Sequence, residues 1–214
     1  MAEIIETTVY QLEELSDEAK EKARDWYRQG AFEDDWYWAV YSDFERICDI
    51  LGIALASVSV RLYGGGSRRK PCIWFSGFAS QGDGACFEGD YRYARGCASA
   101  VRAYAPKDEE LHRIADALLA IQWSNLFQLG ARITHRGRYY HAYSMEIGVE
   151  RYSPVHQAMT ATAEDELAEA LRDLARWLYR KLEDAFDNLT SDEIVDEAIA
   201  ANAYSFTGDG ERFG

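Results

Sequence analysis

Apolar residues return along this chain at two different spacings, one typical of helices and one typical of strands. The most regular pattern covers residues 167–189, where a leucine or alanine recurs every three or four positions. This spacing places the apolar side chains on one helix face and predicts a single long helix. Thr190 and Glu193 have the spacing of a capping box, so we expect a new helix to start at Ser191.

The N-terminal part predicts one strand followed by two helices. Residues 4–12 are rich in β-branched side chains, which favour a strand. Ser16 is placed to cap a helix that we expect to stop at Gly30. A second helical pattern continues to Leu51 and ends before Gly52. The two helices are predicted to form an αα-hairpin.

The next part of the chain is dominated by strand patterns. Residues 53–63 alternate between apolar and polar, which indicates one half-buried strand. Further strands are expected at 72–78 and 85–93, with a turn at 81–84 between them. Three consecutive strands of this kind predict an antiparallel meander.

Two helices, another hairpin and a short C-terminal strand complete the prediction. A short helix is expected at 98–104, and a longer one after Pro106 that ends at Gly130. The hairpin would pair residues 131–135 with 138–149 and turn at the Arg-Gly dipeptide between them. Residues 204–210 combine a strand with a glycine turn.

Together these elements predict an α+β fold. It would consist of an antiparallel sheet of about five or six strands, packed with the N-terminal helix pair and the long C-terminal helices. With 214 residues and 48% hydrophobic content, a sizeable core can form. No segment is composed like a long linker, so we predict a single domain over residues 1–214.

The location of the protein is inferred from what its N-terminus and apolar segments lack. The longest apolar stretches fall far short of the roughly 20 residues that cross a membrane, and the acidic N-terminus does not look like a signal peptide. Four cysteines without a CxxC pair suit reduced thiols. We therefore expect a protein without a membrane partner in the cytoplasm of a bacterial host cell.

Charge is distributed unevenly along the chain. The net charge is −14, yet residues 53–163 hold 9 acidic and 13 basic side chains, so the excess acid lies towards the two ends. The helices could carry these carboxylates for solubility alone, or the acids could form a functional face. For a functional face, the candidate partner-binding residues are Glu13, Glu14, Asp17, Glu21, Asp34, Asp35, Glu183, Asp184, Asp187, Asp192 and Glu193.

The densest local feature is an aromatic segment that runs into a polar glycine turn, W-F-S-G-F-A-S-Q-G-D-G at residues 74–84. Its last residues offer a hydroxyl, an amide and a carboxylate, and its glycines would let a ligand approach the backbone. The alternative is a plain hairpin turn, for which Asp-Gly is a common choice. The candidate ligand-binding residues are Ser80, Gln81, Gly82, Asp83 and Gly84.

Neither a catalytic centre nor a metal site is predicted. No nucleophile stands beside a base and an orienting third group in a known pattern. Two histidines near the predicted hairpin could bind a metal together with Glu146, but no HExxH or HxxxH spacing supports this. We therefore expect structural or solvated histidines, no cofactor and no enzyme activity. The four histidines are His112, His135, His141 and His156.

Arginines and tyrosines alternate on the predicted strands, which could stack bases and neutralise phosphates. The pI near 4.7 argues against nucleic acid as the direct ligand, although a small nucleotide remains an option. The alternative is that the tyrosines pack against helices and the arginines pair with acids. The residues concerned are Tyr91, Arg92, Tyr93, Arg132, Arg136, Arg138, Tyr139 and Tyr140.

Three segments resemble a family of phage and prophage proteins. They are L-E-E-L-S-D-E-A-K-E-K-A-R-D-W-Y in the opening helix region, D-F-E-R-I-C-D-I-L-G-I at residues 43–53, and the motif at 74–84. The resemblance covers about residues 5–90, and such proteins are loosely labelled the antitoxin of a toxin-antitoxin stability system. The resemblance implies that the gene lies in a phage or prophage, beside other genes that block bacterial defence. It assigns no role to any residue and adds only that the turn at 80–84 matches.

Three functions follow as hypotheses. The first is a phage or prophage protein that neutralises a bacterial toxin or defence component with a basic surface by direct stoichiometric binding. The second is a sensor or sponge that binds a nucleotide or other small ligand at residues 80–84. The third is an enzyme that uses Asp83. The leucine stripe of the long helix also leaves a homodimer as an alternative to a buried core.

Overall fold

The computed structural model describes residues 7–31 and 35–214. Its helices, labelled in chain order, are α1 (Asp17–Ala31), α2 (Trp38–Leu51), α3 (Cys97–Tyr104), α4 (Glu109–Ser124), α5 (Ala163–Thr190) and α6 (Asp192–Ala201). Short 3-10 helices lie at Leu12–Glu14 and Ala142–Ser144.

The strands are β1 (Ile53–Leu55), β2 (Ser57–Arg61), β3 (Ser67–Pro71), β4 (Ile73–Phe75), β5 (Ala85–Phe87), β6 (Gly89–Arg92), β7 (Leu129–His135), β8 (Met145–Arg151), β9 (Ser205–Phe206) and β10 (Arg212–Phe213). The predicted α+β class is confirmed. Within the described part of the chain, the strands form a four-stranded antiparallel sheet in the order β1-β6-β7-β8 and three two-stranded sheets, β2-β3, β4-β5 and β9-β10. The sequence had predicted one larger sheet of five or six strands.

Backbone contacts divide the chain into two compact units. The terminal unit combines Met1–Trp38 with Asp184–Gly214, and the central unit comprises Ala39–Glu183. The predicted single domain is a statement about cooperative unfolding, and it stays a prediction that an unfolding experiment can test.

The terminal unit is built around α1, α6 and the β9-β10 hairpin. Ser16 caps α1 as predicted, since its Oγ accepts the N–H of Ala19 at 3.3 Å, but the helix continues past Gly30 to Ala31. The predicted break between α5 and α6 is also confirmed, but the N-cap residue is Ser191 and not Thr190, so α6 begins at Asp192. The Thr190 hydroxyl donates instead to the Phe186 carbonyl of α5 at 2.8 Å. Among the described residues of the terminal unit, the buried apolar core consists of Leu12, Leu15, Ala19, Ala23, Val195, Ile199 and Phe206.

The strand predicted at residues 4–12 lies partly outside the described residues. In its described part, Tyr10 forms one isolated antiparallel bridge with Phe206, and a 3-10 helix follows at Leu12–Glu14. The bridge consists of the Tyr10 N–H donating to the Phe206 carbonyl at 2.8 Å and the return bond at 2.9 Å.

The predicted meander between residues 53 and 93 is wrong, because two of its three strands are broken and the segments pair differently. β1 pairs with β6, β2 with β3, and β4 with β5. The three ribbons meet at Ala56, Cys72 and Glu88. Ala56 N–H donates to the Glu88 carbonyl (2.8 Å), Glu88 N–H to that of Cys72 (2.9 Å), and Cys72 N–H to that of Ala56 (2.8 Å). This closed ring of backbone hydrogen bonds satisfies the junction residues and lets each ribbon leave in its own direction.

Helix α4 ends at Ser124, earlier than the predicted Gly130. The backbone reverses at Leu126 and Phe127, which both have left-handed φ angles, +57° and +58°. The buried Gln122 side chain stabilises this reversal, because its Nε2 donates to the Leu129 carbonyl (2.9 Å) and its Oε1 accepts the Leu129 N–H (3.2 Å). The residues predicted to end the helix therefore begin β7.

The hairpin after this reversal is longer than predicted. β7 and β8 pair from Leu129 opposite Arg151 to His135 opposite Met145, so residues 136–144 form the connection in place of a tight Arg-Gly turn. The long helix is confirmed as α5. Its stripe is buried, with Leu171 and Leu174 at 0% exposure, which assigns the stripe to the core of the chain itself.

Candidate functional site

A pocket of about 350 Å³ on the central unit includes part of the turn that the sequence singled out. Three of the five predicted ligand-binding residues, Gly82, Asp83 and Gly84, line it. Ser80 and Gln81 are exposed and are not among the lining residues. The remaining lining residues are Ala85, His141, Ala142, Tyr143, Arg176, Tyr179 and Arg180.

The pocket loop is residues 76–84, which connect β4 to β5 where Phe75 faces Ala85. The loop is therefore longer than the tight Asp-Gly turn considered from the sequence. The carboxylate of Asp83 organises it, since Oδ2 accepts the N–H groups of Ala79 (3.2 Å) and Ser80 (2.7 Å). Bonds of this type to a carboxylate are stronger than bonds between neutral groups. One carboxylate oxygen thus fixes the loop shape.

Gly84 is needed because another segment approaches its backbone closely. A Cβ atom at this position would lie 2.7 Å from the Cβ of His141 and 2.8 Å from its Cα. The N–H of Gly84 donates to Ser76 Oγ (3.0 Å), and that hydroxyl donates to the Tyr140 carbonyl (3.3 Å). These contacts attach the pocket loop to the segment before β8.

His141 lies at the pocket wall and has a structural role there. Its Nδ1 accepts the N–H of Tyr143 at 3.0 Å, which caps the 3-10 helix Ala142–Ser144. A neutral imidazole that accepts at Nδ1 carries its proton on Nε2. With Nδ1 used as an acceptor, Nε2 is the ring nitrogen that can donate a hydrogen bond.

Helix α5 supplies two arginines to the pocket, one turn apart. Arg176 donates to Asp173 (2.6 Å) and to Glu169 (2.7 Å), and its guanidinium carbon lies 5.2 Å from the ring centre of Tyr143. Arg180 forms a two-bond ion pair with Glu110. These pairs fix the orientation of both guanidinium groups while using only part of their donor sets.

Tyr179 connects α5 to the pocket loop. Its hydroxyl donates to the carbonyl of Gly77 (3.0 Å), and its ring centre lies 5.4 Å from that of Phe78. Burial raises the pKa of the Tyr179 hydroxyl, and the negative charges of Glu183 and Asp83 raise it further. The hydroxyl thus keeps its proton at neutral pH and acts as a donor.

The residues of the α5 wall were missed by the sequence reasoning. A signal did exist, because Arg172, Arg176 and Arg180 recur every four residues on the polar side of the most regular helix. The sequence could not show that this row would lie beside the loop at 82–84, since the two segments are about a hundred residues apart.

The predicted acidic face is partly neutralised within the terminal unit. Arg24 pairs with Glu21 (2.6 Å) and Asp192 (3.1 Å), and Arg28 also pairs with Asp192 (2.5 Å). Other predicted members, such as Glu13, are exposed. Asp34 lies outside the described residues.

The net charge is nevertheless confined to this unit. Its sequence segments contain 19 acidic and 5 basic side chains, whereas the central unit contains 18 of each. The whole charge of −14 therefore belongs to the terminal unit, and the central unit is formally neutral.

Histidines other than His141 also make local structural bonds. A ring nitrogen of His112 lies 2.8 Å from the Ala105 carbonyl, and one of His135 lies 3.1 Å from that of Tyr139. Across residues 7–31 and 35–214, no group of three or more histidine, cysteine or acidic side chains is arranged to hold a metal ion.

The arginine and tyrosine residues predicted on the strands do not form one base-stacking surface. Tyr91 is buried at 1% exposure, and its ring belongs to the core. Arg136 pairs with Glu146 at 3.2 Å, and the Arg92 guanidinium stacks 4.0 Å above the ring of Tyr152. For Tyr91, Arg92 and Arg136 these contacts match the alternative that tyrosines pack and arginines find internal partners, whereas Tyr139 is 69% exposed.

Comparison with known proteins places the central unit in a family. A family model described as a domain of unknown function, DUF8835, matches residues 36–192, and the chain belongs to this family. Neither a curated protein nor a solved structure matches the chain. In the described part of the chain, no helix is both long enough and apolar enough to span a membrane.

Proposed function

We propose that the central unit binds a small polar ligand of the nucleotide class in the pocket between the 82–84 loop and helix α5, as a sensor or sponge for that ligand. The observation that carries this proposal is the convergence of a glycine loop, two tyrosines and two arginines on one cavity. The geometry thereby favours the second of the hypotheses drawn from the sequence.

The pocket has the size and chemistry for such a ligand. Its volume of about 350 Å³ is near the lower end of the range for small-molecule sites, which suits a mononucleotide or a smaller molecule. Tyr143 and Tyr179 provide aromatic surface for a planar ring. The remaining guanidinium donors of Arg176 and Arg180 suit a phosphate or another oxyanion.

A thermal-shift screen tests this proposal. The panel contains mono-, di- and cyclic nucleotides with inorganic phosphate as the minimal anion. A ligand present at about 100 times its Kd should stabilise the protein by roughly 2.7 kcal/mol. If none of the panel raises the unfolding temperature of the wild type, the proposal fails.

Two substitutions connect a positive shift to the pocket. Asp83→Asn keeps one oxygen able to accept both loop N–H groups, so the fold should persist, and loss of its negative charge from the pocket should strengthen the stabilisation by an anionic ligand. Arg180→Gln should reduce that stabilisation, because it removes a positive charge from the pocket. Arg102→Gln is the matched control, because Arg102 also pairs with one carboxylate and its side chain is 45% exposed, against 44% for Arg180. Equal losses in Arg180→Gln and Arg102→Gln would contradict binding at this pocket.

A second candidate function is supported by the charge of the terminal unit. As a phage- or prophage-encoded inhibitor or antitoxin, the protein would use this surface to bind the basic surface of a bacterial toxin or defence component. The supporting observation is that the terminal unit carries the entire excess of acidic residues. Opposite charges on two partners speed their association and set its specificity.

Charge reversal at exposed acids that hold no internal ion pair in the described structure tests this candidate. Glu13→Lys with Asp187→Lys should weaken capture of a partner from host lysate and reduce the salt dependence of the purified complex. The control is Asp49→Lys with Glu150→Lys, which makes the same charge change on the central unit. Similar binding by both double variants would remove the acidic terminal surface as the contact.

A further inference from the structure

The β2-β3 hairpin is a second surface with its own chemistry, separate from the pocket. Residues 57–71 include Arg61, Arg68, Arg69 and Lys70 and contain no acidic residue. This composition is unusual in a chain with 37 acidic and 23 basic side chains. We call residues 57–71 the basic hairpin.

The basic hairpin exposes most of its length. Val58, Val60 and Leu62 are 41–49% exposed, and Tyr63, next to the glycine loop at its tip, is fully exposed. The three glycines at 64–66 would have open space around an added Cβ atom. Two short paired strands that expose apolar and basic side chains together form an accessible binding surface.

Strand register gives one face of the ribbon a largely polar chemistry, with Pro71 opposite Ser57 as its apolar member. Ser59 lies opposite Arg69, and Arg61 lies opposite Ser67. Side chains alternate between faces along a strand, so Ser57 shares this face with them. Arg69 Nε donates to Ser57 Oγ at 2.8 Å, which orients the guanidinium along the ribbon. The face therefore presents hydroxyl and guanidinium groups.

From these observations we propose that the basic hairpin binds the groove and phosphate backbone of duplex DNA. A two-stranded ribbon fits the major groove of B-form DNA, which is about 12 Å wide. Arginine and serine side chains are common contacts to phosphates and base edges. The deep and narrow major groove of duplex RNA does not admit such a ribbon, so DNA should be preferred.

The low pI of the protein does not oppose this inference as strongly as its total charge suggests. The acidic excess lies in the terminal unit, and the central unit that carries the basic hairpin has 18 acidic and 18 basic residues. Electrostatic attraction between proteins and DNA is screened over roughly 10 Å at 0.1 M salt, so the charges near the contact matter most. An acidic partner protein would also be attracted to the basic hairpin. The face of serines and arginines and the exposed tyrosine at the tip fit DNA more specifically than they fit such a partner.

Fluorescence anisotropy with a labelled DNA duplex of mixed sequence tests the proposal on the full chain. Arg61→Ala with Arg69→Ala should weaken binding by about tenfold or more at low salt and lower the slope of log Kd against log salt by about two. The control is Arg95→Ala with Lys107→Ala, which removes the same charge from exposed positions of the same unit and should change Kd less than about twofold. Thermal unfolding confirms that each variant is folded.

Three results would overturn the proposal. They are no binding of the duplex by the wild type, equal losses in the two double variants, and tighter binding of polyglutamate than of DNA at the same salt. The last result would assign the basic hairpin to an acidic protein partner. Stronger binding of the DNA duplex than of a matched RNA duplex, lost only in the Arg61 and Arg69 variant, supports the proposal.

Discussion

The two units of this chain differ in charge, in core size and in their relation to the family. The central unit is formally neutral, carries the pocket and the basic hairpin, and lies within the family match at residues 36–192. Among its described residues the terminal unit has a core of seven buried apolar side chains. It also carries the whole net charge, and most of it lies outside that match. The family is thus defined mainly by the central unit, whereas the acidic character that dominates the composition belongs to the other.

The same tripeptide, Gly-Asp-Gly, has different roles in the two units. At residues 82–84, the aspartate binds two loop N–H groups and the last glycine allows close approach by His141. At residues 208–210, Asp209 pairs with Lys22 at 3.1 Å, and Gly210 has a φ of +85° against the backbone of Ala19. The local motif therefore specifies a turn, and the surrounding structure determines which of its groups makes the close contacts.

The largest expected effect comes from core substitutions, one in each unit. Leu174→Ala in the central unit should cost about 2 to 5 kcal/mol, and Phe206→Ala in the terminal unit about 3 to 5, through lost burial and the remaining cavity. Both side chains have 0% exposure. Urea unfolding followed by tryptophan fluorescence and by circular dichroism measures both variants.

The same pair tests the predicted single domain. If the chain unfolds cooperatively, both probes should report one transition, and each substitution should lower the urea concentration at its midpoint. Two transitions, each moved by only one of the substitutions, would instead establish that the units unfold independently. Sedimentation of Leu174→Ala should show the same association state as the wild type, because its side chain is buried within the chain itself.

Glycine substitutions should have the next largest effects. Gly210→Ala combines a left-handed φ with overlap against the Ala19 carbonyl, so we expect a loss of about 2 to 4 kcal/mol. Gly84→Ala has overlap alone and should cost about 1 to 3 kcal/mol. Gly208→Ala is the control, since its nearest contact would be an ordinary 3.4 Å to the Tyr10 ring. A loss for Gly208→Ala as large as for Gly210→Ala would contradict this reading of the turn.

A smaller effect is expected from removing one arginine in each unit. Arg24→Gln removes the cation that Glu21, Asp192 and Asp196 share, although Glu21 and Asp192 keep their contacts with Arg28, and should cost about 1 to 2 kcal/mol at neutral pH. Arg180→Gln removes a more exposed pair and should cost less than about 1 kcal/mol. Urea unfolding at several pH values compares both variants with the wild type.

The stabilisation that Arg24 provides should depend on pH through the carboxyl group of Asp196. Its hydrogen bond with Arg24 holds the pKa of this carboxyl below its usual range. The stabilisation is therefore complete above the ordinary aspartate pKa of about 3.9, and it is lost as the pH falls through the lower folded value. The difference between wild type and Arg24→Gln should shrink below about pH 4. A difference that stays constant down to pH 2 would contradict this assignment.

The candidate site shows where prediction from the sequence stops. The loop at 82–84 could be found because glycine beside aspartate is a local signal for unusual backbone geometry. Arg176, Tyr179 and Arg180 could not be assigned to it, because a polar residue on an amphipathic helix looks the same whether it faces solvent or a cavity. Ser80 and Gln81, which the sequence included, belong to the loop without lining the pocket.

The sequence by itself determined the α+β class, the buried stripe of α5 and the break between α5 and α6 to within one residue, because each depends on contacts within a few residues along the chain. The tertiary structure alone decided that the strand patterns break at Ala56, Cys72 and Glu88. Each of these residues satisfies its backbone groups through a partner sixteen or thirty-two positions away, and alternation of apolar and polar residues does not encode that choice. It likewise decided which charges meet, since an ion pair between α1 and α6 depends on where two distant helices pack.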